Sequence, residues 1–298
     1  MGGFGQKKKE TKAFSKKLQR LSEKELKEKS IRSHIKGDLD EAEKGYLTFI
    51  KNGYYDADIF SNYALICEGK REDKKAIKLY ERCIEYFPNH IFSKLNLSFL
   101  FYKLNDFEKA ESVVNDAINL KPNLPNGYCI RGLIFKSINK YVESKLSLEK
   151  AIELDNNYID AYINLGLLHK DSNKYNEAEE YYLKALEIEK KSAVAHLNLG
   201  ACYREKNELE KAIFHTSMAI DLDNTLKNCY LNLASIYNQI GDYKKSLILT
   251  KKELLFNNNS ELSYQLISEL IKKGELLNTS EKDNRELLKS ILNRKDIS

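Results

Sequence analysis

Residues Asn164–Ile188 (NLGLLHKDSNKYNEAEEYYLKALEI) and Asn198–Leu222 (NLGACYREKNELEKAIFHTSMAIDL) begin 34 residues apart and keep one order of small, aromatic and aliphatic residues. Extending that spacing both ways gives repeat starts at Glu23, Ala57, Ile91, Pro125, Ile159, Ala193 and Lys227, with no insertion or deletion. Self-similarity this strict marks a repeat architecture. One such repeat cannot bury its apolar face alone, so stacked neighbours must supply the core.

Each repeat reads as two helices, its first 14 residues and then residues 17 to 30. A polar turn joins them: KGDL, KRED, LNDF, INKY, SNKY, KNEL and IGDY in chain order. Pro88, Pro122, Asn156, Asn224 and Asn258 mark a second turn that closes several repeats. Places four, seven, eight and eleven of the first helix share one face at 100° per residue, as in Tyr162, Leu165, Gly166 and His169. Place eight is small in every repeat: Ser30, Ala64, Ser98, Gly132, Gly166, Gly200 and Ala234. Place twenty answers with Ala42, Ala76, Ala110, Ser144, Ala178, Ala212 and Ser246, so the two helices are expected to approach closely. Place 27 is mostly small as well, which makes Cys83 a packing residue where other repeats have Ala.

These residues carry a resemblance. Tyr162, Leu165, Gly166, Ala178, Tyr182 and Ala185 match the skeleton of the tetratricopeptide repeat, or TPR. The resemblance covers residues 23–260, and the first repeat departs most, with Lys29 where Leu is usual and Phe49 where Ala is. It implies an all-α, right-handed α-solenoid of about seven helix hairpins, whose first helices line a concave groove that binds segments of partner proteins. A carboxylate clamp like that of chaperone-binding members is not expected. Lys27 and Asn62 match it, but Ile31, Phe92 and Asn96 stand where its other ligands should be.

The ends fit a complete array. Ser22-Glu23-Lys24-Glu25 is a capping-box pattern before the first helix. Residues 261–298 read as capping helices: Glu261–Lys273 continues the register with Tyr264 and Ile267. Glu281–Arg294 then aligns Leu287, Leu288, Ile291 and Leu292 on one face.

Composition excludes several classes. The chain is 42% hydrophobic and 31% charged, with no apolar run near 18 residues, so neither a disordered chain nor a membrane span is expected. Residues 1–20 hold seven Lys/Arg and one Glu, a balance of +6, leaving the rest of the chain at −1. Residues 1–22 therefore read as a basic, disordered tail able at most to make weak contact with nucleic acid or an anionic surface. The tail lacks the apolar segment of a secretory signal, and Gln6 stands where a myristoylation site needs Ser or Thr. Cys67, Cys83, Cys129, Cys202 and Cys229 are odd in number and scattered, which points to a reducing, cytoplasmic setting without disulfides or zinc. The sequence shows no phosphate loop, nucleophile elbow or metal-binding histidine motif, so the chain is read as a non-enzyme without a cofactor.

Place six of the repeat carries the functional expectation. From the second repeat to the seventh it reads Asn62, Asn96, Ile130, Asn164, Asn198 and Asn232. With 27 asparagines in 298 residues, five in six is far above chance. A duplicated local role is one explanation. The other is a ladder: an amide both donates and accepts, so a row can hold an extended peptide by its backbone. The latter resembles the groove of O-linked N-acetylglucosamine transferases. Places two, six, nine and thirteen form a stripe opposite the packing face, and place nine adds Leu133 and Leu167. Place twelve adds Lys136, Lys170 and Arg204, which would favour acidic ligand side chains. The leading expectation is a scaffold for an extended segment of a partner protein. The alternatives are an accessory arm for a separately encoded transferase and an RNA-binding protein using the basic tail.

Overall fold

The computed structural model describes residues 22–257 and 260–272. Among them are fifteen helices and no strand. In chain order they pair as α1 (Glu23–Ile35) with α2 (Leu39–Lys51), α3 (Ala57–Gly69) with α4 (Asp73–Tyr86), and α5 (Ile91–Lys103) with α6 (Phe107–Leu120). Next come α7 (Pro125–Ser137) and α8 (Tyr141–Leu154), then the pairs α9 (Ile159–Asp171) with α10 (Tyr175–Ile188) and α11 (Ala193–Glu205) with α12 (Leu209–Leu222). The last pair is α13 (Cys229–Ile240) with α14 (Tyr243–Phe256), followed by α15 (Glu261–Lys272). The basic segment 1–21 and the amphipathic stretch 281–294 lie outside the described residues.

Local chemistry sets the helix ends. Ser22 accepts the Glu25 N–H, and the Glu25 carboxylate accepts the Ser22 N–H at 2.9 Å, completing the capping box. Between the helices of every repeat, place fifteen turns left-handed: Gly37, Arg71, Asn105, Asn139, Asn173, Asn207 and Gly241 have φ between 59° and 91°. The N–H of place sixteen then donates to the carbonyl of place eleven, as in Lys174 to His169 at 2.9 Å. That of place fifteen donates to place twelve, as in Asn173 to Lys170 at 2.9 Å. This is a Schellman closure, and Gly or Asn adopts it at least cost.

Six first helices start at the residue that opens the repeat. The seventh starts at Cys229 rather than Lys227. Place 27 lies against the opening of its own repeat, since the Cys83 sulfur is 3.5 Å from the Ala57 carbonyl. In the seventh repeat this place is Glu253, only 2% exposed. Its carboxylate accepts the Asn228 N–H at 3.2 Å, and Asn228 is held at φ 68°, so helix begins one residue later.

The chain forms two compact bodies, one ending at Ile134 and the other starting at Phe135. The amino-terminal body is centred on Tyr46, Phe49, Ile59, Tyr80 and Leu100. In the carboxy-terminal body, Tyr182, Leu199, Cys202 and Ile236 form one cluster, and Leu231, Leu247, Ile267 and Leu270 another that includes α15. Burying a Leu or Phe completely contributes about 1.5–3 kcal/mol. The small place eight makes room chiefly for place 24: a Cβ on Gly166 would lie 2.4 Å from the Tyr182 ring, and one on Gly200 2.3 Å from Thr216 Oγ1.

Candidate functional site

Every asparagine of place six is half-buried on its first helix, but the two bodies use it differently. In the amino-terminal body it serves a buried phenol of the preceding repeat. The Asn62 side chain faces the Tyr46 hydroxyl and opposes the upward shift of its pKa, and that hydroxyl lies 2.9 Å from His34 Nδ1. Burial pushes the Tyr46 phenol up to about 12. Asn96 likewise faces Tyr80, whose hydroxyl donates to Glu68 at 2.7 Å, and Lys103 closes on the same carboxylate at 2.6 Å. Both phenols are fully buried, so these bonds satisfy groups that water cannot reach.

The carboxy-terminal body lacks this arrangement. The residue in the place of Tyr46 and Tyr80 is Leu148 before Asn164, Tyr182 before Asn198 and Thr216 before Asn232. Leucine offers no polar group. The Tyr182 hydroxyl and Thr216 Oγ1 are buried without a hydrogen-bond partner among the described residues. Asn198 instead donates to the Val194 carbonyl of its own helix at 3.0 Å, which leaves its amide oxygen and second N–H to bond elsewhere.

Place nine changes character along the chain too. Leu65 and Phe99 are 42% and 38% exposed, and Phe99 stacks on Tyr102 at 5.7 Å with Lys103 over its ring. Leu133 and Leu167 are half-buried. Ala201 is only 9% exposed, so it does not belong to an open stripe. Of the place-twelve cations, Lys136 is 2.7 Å from Asp171 and Arg204 is 2.5 Å from Glu205. An acidic ligand would have to displace these carboxylates. Lys170 is half-buried near Cys202, whose thiol burial pushes up to about 11.

Two clusters resemble reactive sites and are accounted for by packing. Ser93 Oγ lies 2.8 Å from His90 Nδ1, and His90 Nε2 is 3.8 Å from Asp58. The serine is fully buried, however, and its hydroxyl donates to the Cys83 sulfur at 3.1 Å, so no substrate reaches it. Glu43, Cys67 and Glu72 bring ligating atoms within 4.8 Å of one another. The Lys75 ammonium already sits there, 3.0 Å from Glu43 and 2.9 Å from Glu72.

Sequence reasoning placed Tyr182 in the repeat skeleton but missed Tyr46 and Tyr80, which hold the same place in the first two repeats and could have been aligned with the asparagines. It also missed a histidine pair, His196 and His215, with Nδ1 atoms 2.9 Å apart.

Tetratricopeptide repeat profiles match residues 57–90, 93–124, 125–158, 159–192 and 181–214, together more than half of the chain. Among solved structures, a tetratricopeptide repeat protein from Parabacteroides merdae superposes with a TM-score of 0.70 at 18% identity, covering 84% of this chain and 99% of its own. PilW, a type IV pilus biogenesis factor, gives 0.61 at 17% identity over 71% of this chain and 98% of its own. IFIT1, in a monomeric mutant with Gppp-AAAA, gives 0.64 at 17% identity over 88% of this chain and 66% of its own. A search of curated proteins finds no match. At these identities the structural likeness speaks for the fold, and with the profile matches it shows that the chain belongs to the tetratricopeptide repeat family.

Proposed function

We propose that the protein is a non-catalytic scaffold that binds an extended segment of a partner protein on the first-helix face of its carboxy-terminal body. The observation that carries this reading is the contrast between the asparagines. Asn62 and Asn96 face buried phenols, so duplication of that role explains them. The same residue persists at Asn198 and Asn232, where the Tyr182 hydroxyl and Thr216 Oγ1 of the preceding repeats have no hydrogen-bond partner among the described residues, and at Asn164, which follows Leu148. Three amides on successive first helices match the alternating donors and acceptors of an extended backbone. Leu167 supplies apolar contact beside them, and Lys170 the charge that prefers an acidic neighbour. Arg204 and Lys136 can exchange their own carboxylates for those of a ligand.

The test is selection of peptides from a random library on the intact protein, followed by titration of a selected peptide and of its N-methylated copies. Backbone recognition predicts that side-chain replacements are tolerated, whereas N-methylation at alternate residues abolishes binding. Recognition by side chains alone predicts the reverse.

A further inference from the structure

Places 18, 22, 25, 26 and 29 of the repeat share the outward face of the second helix at 100° per residue, and they are exposed or half-buried in every repeat. In the first six repeats this face always carries an acid, as with Asp40, Glu81, Glu108, Glu149, Glu180 and Glu210. The seventh repeat, on α14, reads Lys244, Ile248, Lys251, Lys252 and Leu255 and has none. Its place 29 is a leucine that is 83% exposed, where the other repeats have only Lys, Glu, Asn or Asp. Phe256 beside it is 59% exposed and Ile248 48%.

The acids nearest in sequence do not neutralise this face. Asp242 pairs with Lys245 at 2.9 Å, and Glu253 is buried on the far side of the helix, where it accepts the Asn228 N–H. Lys244, Lys251 and Lys252 have no carboxylate in ion-pair contact among the described residues. Lys252 lies over the Tyr230 ring, which stacks on Phe256 with ring centres 5.7 Å apart. Around the helix, Ile248 and Leu255 form an apolar ridge. Lys244 and Lys251 border it on one side, and Lys252 and Lys245 on the other. Burial does not explain the ridge, and pairing does not explain its lysines.

We propose that this face of α14 rests on an anionic membrane surface. Leu255 and Ile248 enter the boundary between headgroups and acyl chains, and the flanking lysines extend along the ridge to the lipid phosphates and carboxylates. Positive charge without acids is complementary to an anionic leaflet. A nucleic acid would use the lysines and leave the aliphatic ridge in water.

The chain contains no Trp, so Leu255→Trp places a single fluorophore on the ridge. The full chain is mixed with vesicles of phosphatidylcholine containing about one-third phosphatidylserine, and with phosphatidylcholine alone. Residues 1–20 are basic as well, so the readout is local to α14. Emission of Leu255→Trp should shift to the blue and be quenched by brominated acyl chains on the mixed vesicles only. Glu187→Trp, at the same place of the fifth repeat, should show neither effect. Replacing Lys244, Lys251 and Lys252 together by Gln should weaken vesicle binding about a hundredfold, at about fivefold per lysine. Leu255→Gln should weaken it about tenfold, with the melting temperature unchanged. No binding to the mixed vesicles, binding without an emission shift, or a triple variant that binds equally well would overturn the assignment. So would a blue shift of Leu255→Trp with RNA or polyglutamate in place of vesicles. If Leu255→Trp does not fold, vesicle sedimentation of Leu255→Gln and the triple variant decides.

Discussion

His196 and His215, on α11 and α12, share one proton between Nδ1 atoms 2.9 Å apart. His196 Nε2 lies 3.2 Å from the Lys190 carbonyl and must carry a proton to bond it, so His196 Nδ1 accepts and His215 Nδ1 donates. Burial, and then the neighbouring His196, press the His215 pKa down to about 4, with Lys211 acting in the same direction and Glu179 against it. Tyr203 and Phe214 complete its surroundings with their rings. The unfolded chain therefore takes up the proton first. The stability that this pair contributes is intact above pH 6.5 and lost as pH falls toward 4, by at most about 3 kcal/mol. Urea denaturation between pH 7.5 and pH 4 should show the loss, and His215→Phe should flatten the slope. An equally steep slope in that variant would place the titration elsewhere, with His34 and His169, both also pressed down by burial, the next to replace.

Arg71 is the one residue of the seven left-handed turn positions that is neither Gly nor Asn, at φ 61°. Left-handed backbone costs an ordinary side chain about 1–2 kcal/mol and glycine nothing. Arg71→Gly should therefore stabilise the protein by about 0.5–1 kcal/mol, measured as a shift in urea midpoint at constant slope. Asn173→Ala should destabilise by a similar amount. A destabilised Arg71→Gly would mean that the Arg71 side chain contributes more than its backbone strain costs.

Gly166 faces the ring of Tyr182, and a Cβ there would lie 2.4 Å from it. Gly166→Ala should cost about 1–3 kcal/mol by overpacking. In a Tyr182→Leu background, where the packing partner becomes what Leu148 already is in the fourth repeat, the added cost should shrink markedly. Additive losses in thermal melts of the single and double variants would show that the two side chains do not compete for one space.

Much of this fold was legible because a repeat states its packing rule seven times. Small residues at places eight and twenty, and the capping pattern at Ser22, locate the helices in the sequence. What stayed hidden depends on pairs of positions across repeats. The start of α13 moved because of Glu253, 25 residues after the backbone N–H it captures. The asparagines hid two uses under one letter: Asn105, Asn139, Asn173 and Asn207 make left-handed turns, and the place-six set lies on helices. Within that set, Asn62 and Asn198 look alike in sequence. Only the side chain of place 24 in the preceding repeat separates them.

That separation predicts different stability costs. Asn96→Ala removes the amide that faces the buried Tyr80 hydroxyl and should cost about 1–2 kcal/mol. Asn232→Ala should cost no more than about 0.5 kcal/mol, as for a surface residue. Chemical denaturation of the two variants side by side checks this, and equal losses would return Asn232 to a structural role.

The central claim is that Asn164, Asn198 and Asn232 bind the backbone of a partner segment, and the Asn164→Ala, Asn198→Ala, Asn232→Ala triple variant tests it most directly. A library-selected peptide is titrated into the unaltered protein and the variant by calorimetry, with melting temperatures recorded in parallel. Three lost hydrogen bonds at about 0.5–1.5 kcal/mol each predict binding about ten- to a thousand-fold weaker, with the melting temperature nearly unchanged. Equal affinity for the two proteins, or a variant that loses stability while keeping its affinity, would contradict the account.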